Sequence, residues 1–574
     1  MSLLGALSLG GASLAAQQTG LQVTGNNIAN AGTVGYSRQS VQLTPGASNK
    51  LANGQYLGTG VTVDAIQRQA NDAINSSLRD ATSDQSAAQT LDSLLSQVQS
   101  TFGTLNDGDL SAQMNDFFNS FSTLANNPGD AAQQSVVVQA GASLANYMQS
   151  LRSQLSSIRS TAQQQTTALV TQANALSQSV ADLNKQISAS SAGGTGADNN
   201  LLDQRDQDLS QLSQIMDIHV IQQANGSVNV LVGSMPLVQG SVSRGVSSKQ
   251  VPDSTGTFST TQVTFANNGD QMAVTGGQLG SLISSTSTYL TPAVQAVDSM
   301  AAGLISAVNA IHTQGQGLSG FSTVTGTTQV LDPTAALNSP TLTSGITFAP
   351  TNGTFNLYLT DSTTGQITTK QINVNLSGQG TPDSLNSLAA NITAAGGGVV
   401  SATVNPNGTL KIASNNGNVT FGFGQDTSGV LASLGINTFF TGTDATNIGV
   451  NNVLLNDPSK LATGQNNVAG SNTNAQALAL VGNAKVSLLG GQSLNDYYTG
   501  YIGNLAAHAK NASDNATAQS TIVSSITAQQ QAISGVSMDE EAINLTRFQR
   551  AFEGSARFIT VVDEMMQTVL GLVQ

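Results

Sequence analysis

Residues 537–574 read SMDEEAINLTRFQRAFEGSARFITVVDEMMQTVLGLVQ, and their spacing decides the fold at the chain ends. Leu545, Phe548, Phe552, Ser555, Ile559, Val562, Met566, Val569 and Val573 recur at intervals of three and four residues. A 3.5-residue average keeps one stripe turned toward a helical partner, so the spacing predicts an amphipathic helix with a coiled-coil-like seam. Ser537 followed by Glu540 matches a capping box. Asp539, Glu540 and Glu541 place negative charge where the free amides of a helix N-terminus favour it.

Working outward, the opposite end repeats this pattern with less contrast. Leu7, Leu14, Leu21 and Ile28 recur every seven residues, with Gly10, Gly11 and Gly25 near the seam. A helix weakened by glycine is predicted there. Two such helices are expected to bury their seams against each other and against neighbouring subunits, and to depend on that burial for order.

The whole chain has 574 residues, enough for three or four domains. It carries 18 Lys+Arg against 32 Asp+Glu, a net charge of -14. So few cations exclude a broad surface for a phosphate backbone and a polybasic membrane attachment. With no cysteine there is no disulfide framework, thiolate nucleophile or cysteine-ligated zinc. The opening 37 residues lack both an 18-residue apolar run and the basic start of a secretory signal peptide.

Between the ends the periodicity changes several times. Leu110, Met114, Phe117, Phe121 and Leu124 form a helical stripe, closed by the turn Asn127-Pro128-Gly129-Asp130. A second stripe runs from Leu144 to Ile187, weakening around Ala162, Gln165 and Gln172; as one helix those 44 residues would span roughly 66 Å. It is expected to end at Ser191-Ala192-Gly193-Gly194-Thr195-Gly196, before another helix marked by Leu202, Leu209, Leu212 and Met216. Val228, Val230 and Val232 then alternate with polar residues, and Val263, Phe265, Met272 and Val274 suggest further strands. Helical spacing returns over 278–312. Beyond Gly320, Phe355-Leu357-Leu359, Ile372-Val374-Leu376, Leu410-Ile412 and Val419-Phe421-Phe423 alternate between Asn-Gly turns, which favours antiparallel sheets.

The predicted fold is multidomain α+β: terminal helices forming a coiled-coil-like axial part, an extended helical bundle, and antiparallel β modules inserted in the middle. The expected division is a terminal axial domain at 1–70 and 530–574, a helical domain at 71–215, 277–315 and 470–529, a β module at 216–276, and an inserted outer β domain at 320–469.

No pattern announces catalysis. His219, His312 and His508 stand far apart without metal-ligand spacing. The acidic pairs Asp203 with Asp206 and Asp539 with Glu540 read as a solvated face and a helix cap rather than as acid/base carboxylates. There is no dinucleotide fingerprint, phosphate-binding loop or nucleophile elbow. Arg547, Phe548, Arg550, Phe552, Arg557 and Phe558 form the one local aromatic-basic cluster, but Phe548 and Phe552 share the heptad seam, which favours packing over base stacking.

The residues at both ends carry a resemblance. Gly25-Asn26-Asn27-Ile28-Ala29-Asn30-Ala31-Gly32-Thr33-Val34-Gly35-Tyr36-Ser37-Arg38-Gln39 resembles the N-terminal signature of the bacterial flagellar axial family of rod, hook and hook-associated proteins. Ser534 to Ala542, with Asn544-Leu545 and Arg547-Phe548-Gln549-Arg550-Ala551-Phe552, is similar to its C-terminal signature. The signature positions are Asn26, Asn27, Ala29, Asn30, Gly35, Tyr36, Arg38, Gln39, Glu540, Glu541, Asn544, Phe548 and Gln549. Tyr36-Ser37-Arg38-Gln39, Leu201-Leu202-Asp203-Gln204-Arg205-Asp206 and Asn309-Ala310-Ile311-His312-Thr313-Gln314-Gly315 look like the hook-filament junction branch. Phe552 stands where relatives often have tyrosine, and 320–470 matches no motif.

The resemblance implies a structural subunit, exported by the flagellar type III apparatus, that joins hook to filament outside the cell. Its implied partners are copies of itself in a ring, the hook protein, the second junction protein and a cytosolic export chaperone, with no nucleic acid and no membrane insertion. No enzyme activity, cofactor or metal is expected. Leu7, Leu14, Leu21, Ile28, Leu545, Phe548, Phe552, Ile559, Val562 and Met566 are the expected assembly interface. An extracellular adhesin or surface-layer protein, using β modules for contact and helices for anchorage, is the alternative.

Overall fold

A computed structural model describes residues 3–50, 54–103, 108–191, 197–252, 256, 258–339, 349–377, 380–468 and 470–572. The fold is multidomain α+β, with long terminal helices packed together and antiparallel sheets in the middle of the chain. Contacts divide it into two units: 1–93 with 162–286 and 511–574, and 94–161 with 287–510.

In the first unit the N-terminal helix, Leu3–Ala29, packs along the C-terminal helix, Met538–Gly571. A hairpin follows the N-terminal helix, pairing Gln39–Pro45 with Val61–Arg68 in a register that runs from Gln39↔Arg68 to Pro45↔Val61. The β module is a four-stranded meander of His219–Gln222, Val228–Val232, Met235–Gln239 and Val242–Ser243, beside the pair Val246–Pro252 and Ser259–Phe265. Val228, Val230 and Val232 point inward, as their alternation predicts, and join Leu209 and Leu212 of the helix Asn199–Ile215 in one core. Met272 is buried but lies beyond the strand, its amide bonded to the Val263 carbonyl at 2.8 Å. Val274 lies outside any strand as well, so the predicted extension of the sheet is not formed there.

The second unit centres on an aromatic cluster. The Phe117 ring, on the helix Leu110–Leu124, lies 5.1 to 5.5 Å from the rings of Phe118, Phe121, Phe439 and Phe440. The predicted alternating segments pair as two three-stranded antiparallel sheets. One orders Ile367–Val374, Gly353–Asp361 and Val419–Gly424; the other orders Thr323–Thr325, Leu410–Ser414 and Val400–Val404. Phe355, Leu357, Phe421 and Phe423 fill the core with Leu388 and Ile392 of the helix Leu385–Ala395, which opens with a Ser384/Ser387 capping box. Gly408 turns with φ of +79°, and a Cβ there would stand 2.2 Å from the Val330 carbonyl oxygen, so glycine is required.

Two helical expectations are refined. The stripe from Leu144 to Ile187 belongs to one uninterrupted helix, Ala131–Ser191; its predicted glycine-rich terminator at 192–196 lies outside the described residues, as does Val573. The helical stretch 278–312 is split into Gly277–Ser285 and Thr291–His312 by a π-helical turn, Thr286–Leu290, just before Pro292. Proline has no amide hydrogen to donate, so a change of hydrogen-bond register ahead of it loses little.

Candidate assembly interface

The terminal helices run antiparallel. Gly10 faces Ile559, the Ser13 hydroxyl lies 2.9 Å from that of Ser555, Gly20 faces Phe548, and Asn27 reaches Glu541, so the partner number falls as the N-terminal number rises. On the C-terminal helix Val562 is fully buried, and Leu545, Phe548, Phe552, Ile559 and Met566 are half-buried, on the face that the heptad spacing marks. The N-terminal helix answers with small residues: Ala6, Gly10, Gly20, Thr24 and Asn27 are buried. A Cβ at Gly10 would stand 2.6 Å from Ile559 Cγ1, and one at Gly20 2.6 Å from the Phe548 ring. Each glycine costs about 1 kcal/mol of helix propensity, and the close packing of a large side chain offsets it. Leu7, Leu14, Leu21 and Ile28 lie one residue further on and are half-buried along one flank. Sequence spacing picks out the large aliphatics. The small residues at 6, 10, 13, 20, 24 and 27 hold the same 3-4 rhythm, and that is the signal for the buried column.

The end signatures converge on one polar latch. Asn27, 1% exposed, donates to the Gln39 carbonyl at 2.8 Å and to Glu541 Oε2 at 3.0 Å, while its Oδ1 accepts from the Tyr36 hydroxyl at 2.8 Å and the Gln39 amide at 3.0 Å. All four sites of the carboxamide are thus satisfied. Glu541, 2% exposed, accepts from Arg38 Nε and Nη2, both at 2.8 Å, and Arg38 Nη1 reaches Glu540 at 2.8 Å. The Arg38 amide bonds the Ser534 carbonyl at 2.9 Å. Burial pushes the Tyr36 pKa up to about 12, with Asp203 and Glu541 adding to the effect, so its hydroxyl stays protonated and donates.

A second layer supports the latch. Arg68 pairs with Asp203 at 2.9 Å and with Asp206 at 2.8 Å, and Asp203 also accepts from the Ser37 amide at 3.2 Å. Both carboxylates are therefore occupied by a structural ion pair. Arg205 bonds the Gly226 carbonyl at 2.6 Å and Asn184 at 3.3 Å, tying the same helix to the β module. Asn30 bonds Asn26 Oδ1 at 2.8 Å at the end of the N-terminal helix, and Gly35 turns with φ of +83°. Asn544 is half-buried beside the seam, whereas Ala29 and Gln549 are exposed.

The second unit has a latch of its own, built from the 309–315 motif. Asn309 donates to the Phe440 carbonyl at 2.9 Å and accepts from the amides of Phe439 at 3.0 Å and Phe440 at 2.9 Å. His312 is fully buried, with Nδ1 2.8 Å from the Asn437 carbonyl oxygen and Nε2 accepting from the Ala462 amide at 3.2 Å. That geometry needs a neutral ring protonated at Nδ1. Burial lowers the His312 pKa to about 4, the Asn437 bond opposing it weakly. His219 and His508 are exposed, and among the described residues no group of three or more His, Asp or Glu could hold a metal ion. The buried polar groups of both latches are thus paired with one another and with backbone, as packing requires.

Paired terminal helices locked by these signatures define a flagellar axial protein. Residues 9–36 match the family model of flagella basal body rod proteins, and 522–572 match that of the C-terminal region of flagellar basal body rod FlgEFG proteins. Residues 95–327 match the helical domain of flagellar hook-associated protein FlgK. Flagellar hook-associated protein 1 of Escherichia coli is 28% identical over 584 aligned residues, covering 97% of this chain and 98% of the relative. Its namesakes from Salmonella typhimurium and Bacillus subtilis are each 27% identical, again over 97% of this chain and over 98% and 96% of their own lengths. The flagellar hook junction protein FlgK from Burkholderia pseudomallei shares the fold, with a TM-score of 0.50 at 20% identity over 80% of this chain and 100% of that structure. The chain is thus similar over nearly its whole length to flagellar hook-associated protein 1, and its general role is that of a structural axial component of the bacterial flagellum outside the cell.

Proposed function

We propose that this chain is the junction subunit that joins the hook to the filament, by packing its paired terminal helices against copies of itself and neighbouring axial subunits. One observation carries the reading. After pairing with the N-terminal helix, the C-terminal helix still exposes Phe558, Val561, Met565 and Leu570 by 41%, 52%, 47% and 66%, and its cap residue Leu572 is 81% exposed. Contiguous apolar surface of this kind marks an interaction site. The hook protein below, the second junction protein above and further copies beside it are the partners that the family resemblance implies. Burying this surface on addition to the growing structure stabilises the bound subunit by mass action. Before assembly the same surface needs cover, which suits a cytosolic chaperone that holds the C-terminal region until export through the type III apparatus.

Electron microscopy of a deletion strain tests the placement: hooks without filaments, with flagellin lost to the medium, are expected. The helix pair is tested by replacing Phe552 and Ile559 with Asp in the full chain. Incorporation is expected to fall at least tenfold while the second unit stays folded by hydrogen exchange. Wild-type junctions from that variant would overturn the reading.

A further inference from the structure

The chain carries the dipeptide Asn-Gly six times, and five of these pairs lie among the described residues: Asn225-Gly226, Asn268-Gly269, Asn352-Gly353, Asn407-Gly408 and Asn416-Gly417. In four of the five the asparagine side chain folds the same way. Its Oδ1 accepts from the amide two residues on: Asn225 from Ser227 at 3.1 Å, Asn268 from Asp270 at 3.2 Å, Asn407 from Thr409 at 3.2 Å and Asn416 from Asn418 at 3.0 Å. That bond draws electrons from Cγ and holds it over the glycine amide in between.

The glycine amides of these pairs differ. Gly226 donates to the Gln223 carbonyl at 3.0 Å, Gly269 to Phe265 at 2.8 Å and Gly408 to Asn405 at 2.9 Å, and taking the proton from such an amide forfeits a hydrogen bond. Of the four matched pairs, Asn416-Gly417 alone has a glycine amide with no acceptor. The fifth pair is held in another way. Gly353 opens the strand Gly353–Asp361 against the Ser428 backbone, where a Cβ would stand 2.7 Å from the Ser428 nitrogen, and Asn352 Oδ1 is committed to the Leu376 amide. Asn416 and Gly417 are both exposed. They lie in the turn from Leu410–Ser414 of one three-stranded sheet to Val419–Gly424 of the other, closed by the Val419 amide on the Asn416 carbonyl at 2.9 Å.

We propose that Asn416 is a site of spontaneous covalent modification, an asparagine that the fold leaves free to convert to aspartate and isoaspartate with water as the co-reactant. The Gly417 nitrogen gives up its proton and attacks Asn416 Cγ. The N–Cγ bond forms, the Cγ–Nδ2 bond breaks, and the carboxamide nitrogen takes up a proton and leaves as ammonia. Water then opens the five-membered imide. Cleavage of the new N–Cγ bond gives aspartate; cleavage of the original peptide bond gives isoaspartate, with the chain rerouted through Cγ. Aspartate keeps an oxygen for the Asn418 amide and adds one negative charge. Isoaspartate also lengthens the main chain by one carbon at the link between the two sheets and replaces the carbonyl that closes the turn. Conversion accumulates with the age of the subunit, wherever in the flagellum that subunit sits.

The full-length chain is held folded at neutral pH, sampled over days, digested and read by mass spectrometry, which separates aspartate and isoaspartate from asparagine. Conversion at Asn416 is expected to be at least tenfold faster than at Asn225, Asn268, Asn352 and Asn407. In the urea-unfolded chain the five should convert within a few-fold of one another. A folded chain in which Asn416 does not lead would overturn the proposal, and so would an unfolded chain in which it leads by the same factor, since the local sequence and not the fold would then set the rate. Gly417→Ala tests the route. Gly417 has no positive φ, and a Cβ there would meet nothing within 4 Å, so the turn accommodates alanine while the methyl group crowds the attacking nitrogen. Conversion of Asn416 is expected to fall at least tenfold in this variant; an unchanged rate would mean direct hydrolysis of the carboxamide and would sink the imide route.

Discussion

The two latches do the same job with opposite chemistry. In the first unit Arg38, Glu541 and Asn27 tie the chain ends together through a charged network at the edge of the helix pair. In the second, Asn309 and His312 tie a helix end to the segment 437–462 through neutral groups in the core. A charge is tolerated where Arg38 keeps 24% of its side chain in solvent; the fully buried imidazole is tolerated only without its proton. The charged latch can therefore hold two helix ends that meet at a surface, whereas the neutral one makes its unit sensitive to acid.

The largest expected effect is on the charged latch. Glu541→Ala takes the buried carboxylate from Arg38, leaving it only the exposed Glu540, and removes one of the two acceptors of the Asn27 amide; it should destabilise the helix pair by about 4 kcal/mol, read as lost hydrogen-exchange protection in the two terminal helices. Protection unchanged at 3–29 and 538–571 would mean that the apolar seam alone holds the ends. Asn309→Ala comes next. It leaves the amides of Phe439 and Phe440 and the Phe440 carbonyl without partners, and should cost about 3 kcal/mol, read as faster exchange at 437–450 with the first unit unaffected. Spread of that loss into the terminal helices would erase the distinction between the two latches.

The smallest effect is on pH dependence. His312 titrates near its ordinary 6.5 in the unfolded chain and at about 4 in the fold. Above pH 6.5 both states are neutral and nothing changes. Between pH 6.5 and 4 only the unfolded chain takes up the proton, so stability falls as pH falls, by about 2 kcal/mol from pH 6.5 to 5. Urea unfolding of the second unit across that range should show the slope. His312→Gln should flatten it, and an unchanged slope would move the titrating group elsewhere.

Much of this was legible in the amino-acid order. The 3-4 spacing from Leu545 to Met566 marks the face that the C-terminal helix turns inward, because a supercoiled seam must repeat every 3.5 residues. Alternation at 228–232 and 355–359 marks strands that bury one face. The end signatures name the latch residues without naming the latch: Asn27, Tyr36, Arg38 and Glu541 are adjacent only once both helices are docked. Asp203 and Asp206 look like a solvated face, and only the fold brings Arg68 across to them.

Periodicity by itself determined that both chain ends are helices with a packed face, and that the middle is antiparallel sheet. Tertiary structure alone decided which side of the N-terminal helix is buried. Leucines at 7, 14, 21 and 28 have the stronger hydrophobic signal, yet the column holding Gly10, Ser13 and Gly20 faces the partner, because the rings and branched side chains of Phe548 and Ile559 already fill that space. Hydrophobicity is a property of one residue, whereas close packing is a property of two. A glycine opposite a phenylalanine therefore becomes meaningful only when the distant segment that carries the phenylalanine has been folded against it.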